Sequence, residues 1–152
     1  INEVRHISHQ LRPSALDDIG LEAALTTLLQ DFHSHSGIDI DSHFDTNQVK
    51  LKSEVATTLY RVAQESLNNI EKHAKAKKVT VILQKMGNML QLLIRDDGIG
   101  FLVNQSVHRQ GIGLRNMRER VEFIGGEFEL MSEPGLGTEI TVLLDLDGLV
   151  YG

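Results

Sequence analysis

Residues 59–74 read L-Y-R-V-A-Q-E-S-L-N-N-I-E-K-H-A. At about 100° per residue, Leu59, Ala63, Leu67, Ile70 and Ala74 share one face of a helix, and that face must be packed against something. Glu65, Asn69 and Lys72 form a second stripe, at i, i+4 and i+7, along its border. The pattern predicts a helix running to about residue 76, with Ser53 offered as its N-cap and no full capping box behind it. A carboxylate, a carboxamide and an ammonium lined up between core and water can serve a magnesium ion and the phosphates it neutralises. A solvated helix edge looks the same, so this stripe needs support from elsewhere in the chain.

On the N-terminal side, residues 1–34 read as helix broken once at Pro13, with stripes Ile1, Val4, Ile7, Leu11 and then Leu21, Leu25, Leu28, Phe32. The first piece is too short and one-sided to stand alone and is expected to face a partner helix. A polar break at 34–37 precedes I-D-I-D-S, which alternates as a half-buried strand does, and 45–52 reads as a loop. On the C-terminal side, 78–84 and 89–95 are strand-like runs separated by Gly87-Asn88, a hairpin turn, and should pair antiparallel. A helix over about 114–124 carries Leu114, Met117, Val121 and Ile124 on one face and stops at Gly125-Gly126. Residues 127–131 and 138–144 read as two more strands joined by E-P-G-L-G. The expected fold is α+β: a two-layer sandwich with a mixed, mostly antiparallel sheet, helices on one face, and a helical segment in front.

A chain of 152 residues supports one core of ordinary size, and 41% hydrophobic with 24% charged residues describes a globular protein. No apolar run reaches the roughly 20 residues of a membrane span. The net charge of −6 argues against a nucleic-acid face. Without cysteine there is no disulfide, thiol nucleophile or thiolate metal site, which fits a reducing, cytoplasmic setting. The chain opens on Ile1 with no signal-peptide pattern, so the expectation is a piece of a longer parent, whose membrane attachment is left open.

Two further motifs carry possible chemistry. In D-D-G-I-G-F (96–101), an acid ends a strand and two glycines bend the backbone. Asp96 can accept from an exocyclic amine of adenine, while Gly98 and Gly100 let a flat base approach the main chain. The rival reading is a plain strand-ending turn. G-I-G-L (111–114) precedes a helix whose first amides are ready donors to phosphate oxygens, although its context does not fit the dinucleotide fingerprint.

Taken in order, E-S-L-N-N-I-E-K-H-A, R-D-D-G-I-G-F, G-I-G-L-R-N-M-R-E-R-V and G-L-G-T-E-I-T-V resemble the N, G1, G2 and G-T boxes of sensor histidine kinases, over about residues 38–146. These kinases belong to the superfamily with the Bergerat-type ATP-binding fold, which also holds gyrase and a chaperone. Upstream, L-R-P-S-A-L-D-D-I-G-L-E-A-A-L is similar to the second dimerisation helix of the nitrate/nitrite-sensor-like subfamily. The resemblance implies a partial dimerisation and phosphotransfer region at 1–34 and an ATP-binding catalytic domain at 35–152. It further implies ATP and magnesium as cofactors, a homodimeric parent, and a response regulator as partner. Residue by residue, Asn69 would ligate magnesium and Glu65 would orient metal-bound water or act as a base. Lys72 would meet the phosphates, and Asp96 would read the adenine amine in a pocket shaped by Gly98 and Gly100. Gly111 and Gly113 would hinge a lid over about 102–110 and approach the triphosphate. Thr138 would support Asp96 through water. Leu114 and Met117 would wall the pocket or be ordinary core, and Arg118 and Arg120 would contact phosphate or be solvated. The rival within the superfamily is an ATP-driven conformational switch of the gyrase or chaperone type.

A histidine kinase needs a nucleophile, and in this subfamily the phosphoacceptor is followed by an acidic residue that draws off the imidazole proton. None of His6, His9, His33, His35, His43, His73 and His108 has that neighbour, so the acceptor is expected on a preceding helix. His33 and His35 lack the further spaced ligands of a metal site and read as loop residues.

Overall fold

The computed structural model describes Leu16, residues 20–102 and residues 111–150. Chain order is α1 (Leu21–Ser36), β1 (Asp39–Asp45), α2 (Ser53–Asn69) continued by a π-helical turn (Ile70–Ala74), β2 (Lys78–Met86), β3 (Met89–Asp96), α3 (Gly111–Phe123), β4 (Glu127–Glu133) and β5 (Gly137–Asp145). The strands form one sheet in the order β1-β2-β3-β5-β4. Only β1 and β2 run parallel, and α2 is the crossover that such a pair requires. The hairpin at Gly87-Asn88 pairs Met86 with Met89 and carries the antiparallel register up to Val79 opposite Asp96.

Alternation decides which side of the sheet is core. Val79, Val81 and Leu83 on β2, Leu90, Leu92 and Ile94 on β3, and Ile140, Val142 and Leu144 on β5 are all buried, while their sequence neighbours face outward. Helix α2 lies on that face and touches α1, α3 and β3, which is why it buries more than one narrow stripe: Val55, Ala56, Leu59, Tyr60, Val62, Ala63, Ser66 and Leu67. Leu21, Ala24, Leu25, Leu29 and Phe32 of α1 join the same core, as does Leu16.

Several boundaries differ from the sequence pattern. Helix α1 runs through the polar break to Ser36, because Ser36 Oγ donates to the Phe32 carbonyl and Gly37 closes the helix in a left-handed conformation. Ser53 is inside α2; the cap is Lys52, whose carbonyl accepts the Val55 and Ala56 amides without side-chain help. Helix α3 starts at Gly111 rather than near Leu114, so both glycines of G-I-G-L are helical. The first helical piece, with Pro13, and residues 103–110 of the lid expected over about 102–110 lie outside the described residues.

The departure that matters most is the end of the central helix. At Ile70 the hydrogen bonding widens to i→i+5, and the π turn ends at Lys75 with φ 52° and ψ 41°. His73, four residues beyond Asn69, shares its face of the helix. The Ala74 carbonyl, an orphan of the helix end, accepts the Ile99 amide at 2.7 Å and so ties this turn to the D-D-G-I-G segment.

Candidate functional site

Between the end of α2, the end of β3 and the β4–β5 turn lies a cavity of about 810 Å³, within the range of small-molecule sites. Its wall includes Asn69, Asp96, Gly100, Leu114 and Thr138, five of the residues singled out from sequence and distant along the chain. The apolar wall comes from Ile70, Ile94, Ile99, Phe101, Leu102 and Ile140, and Pro134 closes the side next to the β4–β5 turn.

Asp96 is 3% exposed, at the core-facing end of β3. Burial pushes its carboxyl above the usual carboxylate range, although amide donation from Gly98, at 2.8 Å to Oδ1, and from Thr138 opposes the shift. A carboxylate stripped of water in this way is a strong acceptor for a donor that a ligand brings. Asp97 behaves oppositely. It faces solvent and accepts the Lys77 and Lys78 amides at 2.8 and 3.0 Å, and these bonds, that of Lys78 foremost, hold its carboxyl below the usual range. Of two adjacent acids, one addresses the cavity and the other stitches the start of β2 to the end of β3.

The glycines make the convergence possible. A Cβ on Gly98 would collide with the Ala74 carbonyl, and one on Gly100, where φ is +64°, would collide with the Glu133 carbonyl. Gly98 is therefore a packing residue behind the wall rather than part of it.

At the other end of the cavity, the Asn69 Nδ2 atom is buried without a hydrogen-bond partner. A Cβ placed on Gly113 would stand 3.1 Å from Glu65 Oε2 and 3.7 Å from Asn69 Nδ2, so the first turn of α3 passes directly over this pair. Among the described residues no three His, Asp or Glu side chains group to cage a metal. Magnesium bound together with phosphates needs only one or two protein oxygens, which Asn69 Oδ1 and the Glu65 carboxylate can supply, while the unpartnered Nδ2 is a donor suited to a phosphate oxygen.

Other assignments move. Lys72 is exposed and off the wall, and His73, at i+4 from Asn69, lines the cavity instead. Met117 is core: it is 1% exposed, with the Ser66 hydroxyl 3.5 Å from its sulfur. Arg118 is engaged with Phe128, donating to its carbonyl at 3.2 Å and lying 5.1 Å from its ring centroid, while Arg120 faces solvent. His33 Nδ1 donates to the Ile38 carbonyl at 2.8 Å, and His35 pairs with Glu71 at 3.1 Å, as residues joining α1 to its surroundings.

Residues 54–148 match the family model described as Histidine kinase-, DNA gyrase B-, and HSP90-like ATPase. The chain belongs to this ATPase family. Its relatives include the sensor histidine kinase MctS of Rhizobium johnstonii, 41% identical over 95% of this chain, and the sensor histidine kinase LiaS of Bacillus subtilis, 40% identical over 93% of it. The chain spans 32% of the length of MctS and 38% of LiaS. In fold it is similar to the histidine kinase domain of the blue-light activated histidine kinase of Erythrobacter litoralis, with a TM-score of 0.72 at 24% identity over 84% of this chain and 61% of that one. The two-layer α+β sandwich expected from sequence is thus the fold of an ATPase-family domain, and MctS and LiaS are both sensor histidine kinases.

Within this ATPase domain the wall also holds Ser66, His73, Ile94, Pro134 and Ile140, to which the sequence pattern assigns no site role. His73 carries a signal in its i+4 spacing from Asn69. Pro134 had a signal in E-P-G-L-G, which reads as a turn but gives no hint of what it approaches. No helix among the described residues is long and apolar enough to cross a membrane.

Proposed function

We propose that this chain is the ATP-binding catalytic domain of a two-component sensor histidine kinase, passing the γ-phosphoryl of ATP to a histidine outside it, for relay to a response regulator. The observation that carries the reading is one cavity whose wall holds both Asp96, a buried acceptor, and Asn69, whose buried Nδ2 donor has no partner.

In this reading Asp96 accepts the exocyclic amine of adenine, with the base lodged among Ile94, Ile99 and Ile140 and beside His73. Gly100 keeps the wall thin enough for the base to lie against the main chain. The triphosphate extends toward Asn69, Glu65 and the N-terminal turn of α3, where Gly111 and Gly113 present backbone without side chains and helix amides favour anions. Magnesium, when bound, neutralises phosphate charge there; Asn69 would hold it and Glu65 would orient its water shell. The bond from the β–γ bridging oxygen to the γ-phosphorus breaks as the acceptor imidazole nitrogen bonds to that phosphorus, leaving ADP. The domain contributes position and electrostatics, and the acceptor's own neighbour takes the proton. The L-R-P-S-A-L-D-D stretch supports a dimerisation helix joined to the domain through α1, and a homodimeric parent.

Calorimetry with ATP and GTP, with and without magnesium, tests this. ATP should bind in a magnesium-dependent manner and better than GTP, and Asn69→Ala should remove the magnesium dependence while retaining most metal-free affinity. Equal affinity for the two nucleotides would overturn the role of Asp96. With labelled ATP, the chain alone should stay unphosphorylated, and a separate dimerisation helix carrying a histidine followed by an acid should accept label from it. Acid-labile label on His6 or His9 would overturn the external acceptor.

A further inference from the structure

Three strands meet at the base end of the cavity. Asp96 of β3 stands opposite Thr138 of β5, and Thr138 stands opposite Ser132 of β4. Cross-strand partners share a face of the sheet, so the three side chains form a row that begins in the cavity and ends one strand behind it. Asp96 and Thr138 line the cavity, and Ser132 does not.

The Ser132 hydroxyl is a hub. Its Oγ lies 2.9 Å from the Phe101 amide, 3.0 Å from the Gly137 carbonyl and 2.8 Å from Thr138 Oγ1. An amide can only donate and a carbonyl can only accept, while a hydroxyl has one proton and two lone pairs. One arrangement satisfies all three contacts. Ser132 accepts from Phe101, donates its proton to Gly137, and accepts the remaining bond from Thr138. The Thr138 proton therefore points backward to Ser132, and its oxygen lone pairs point toward the cavity.

We propose that Ser132 is a specificity-positioning residue: by accepting the Thr138 proton it fixes Thr138 Oγ1 as an acceptor beside Asp96, and so makes the pocket reject keto purines as well as receive amino purines. This rests on the ATP reading. A threonine hydroxyl without that constraint can rotate and donate to the O6 of a keto base, partly relieving its clash with the Asp96 carboxylate. With the proton held by Ser132, a keto base meets two acceptors and no donor. An amino base offers N–H groups to both.

The experiment compares ATP with ITP, which replaces the amine by a keto oxygen without adding guanine's second amine. Calorimetry on the whole chain should show Ser132→Ala lowering the ATP-to-ITP affinity ratio by about tenfold, the size of one neutral hydrogen bond. Most of the change should be a gain in ITP affinity, with ATP affinity moving less than about threefold. Ser132→Thr, which keeps the hydroxyl, should retain wild-type selectivity. In a Thr138→Val background, Ser132→Ala should leave the ratio where Thr138→Val alone put it. If Ser132→Ala does not fold, the Thr pair decides: Ser132→Thr with wild-type selectivity and Thr138→Val with reduced selectivity supports the proposal. Equal weakening of ATP and ITP by Ser132→Ala would make Ser132 a structural tie only and overturn it, with the ATP reading intact. A wild-type chain that binds neither nucleotide overturns that reading and this proposal together.

Discussion

Strand β3 begins and ends in a glycine-containing turn. At its start, Gly87 and Asn88 reverse the chain coming out of β2, and nothing lies within 4 Å of where a Gly87 side chain would stand. At its end, the segment from Asp96 to Gly100 is pressed between the Ala74 carbonyl on one side and the Glu133 carbonyl on the other. Both turns contain a glycine with positive φ, +60° at Gly87 and +64° at Gly100. The first needs glycine only for its own conformation, whereas the second needs it so that three backbones can converge around a buried acid. The difference separates a turn that serves the fold from a turn that builds a site.

Substitutions at these two ends should diverge accordingly. Gly100→Ala combines a left-handed backbone with a collision against main chain that cannot rotate away, so it should cost about 3 kcal/mol or more and abolish nucleotide binding. Denaturant unfolding and calorimetry together would measure both effects, and a folded variant with wild-type affinity would remove the distinction between the two turns.

Asp96→Asn should come next, with affinity for ATP falling by about a hundredfold, the size of a hydrogen bond to a charged group. Stability should move the other way. Because burial raises the Asp96 carboxyl pKa in the folded state, its contribution to stability is fully present below the ordinary carboxylate range and is lost as pH rises through the folded-state value. The asparagine variant should therefore melt above wild type at neutral pH, with the difference closing in acid. A lower melting temperature at neutral pH would show that the carboxylate, not its burial, stabilises the empty domain.

The smallest effect belongs to Gly87→Ala. Strain in an open turn should cost about 1 kcal/mol, with ATP affinity and ATP-to-GTP selectivity unchanged. A loss of binding there would mean that the hairpin end of β3 reports on the site after all.

Much of this was legible in the chain itself. Strand-like runs at 78–84, 89–95, 127–131 and 138–144 located four strands, the 3.6-residue period located α2 and α3, and Gly87-Asn88 marks the hairpin, because these signals are local. Asp96, Gly100, Asn69, Leu114 and Thr138 were also found from sequence, and the fold brings all five to one wall. What tertiary structure decided was register and contact. At the end of α2 it is His73 rather than Lys72 that reaches the cavity, and the π turn there gives Ala74 its bond to Ile99. Gly98 left the wall to become a packing position, Met117 sank into the core, and Arg118 turned to Phe128. The row Asp96–Thr138–Ser132 exists only because β5 inserts between β3 and β4. Sequence period specifies which face a residue is on, but hydrogen-bond partners come from strand order and helix register, which depend on packing across the whole sheet.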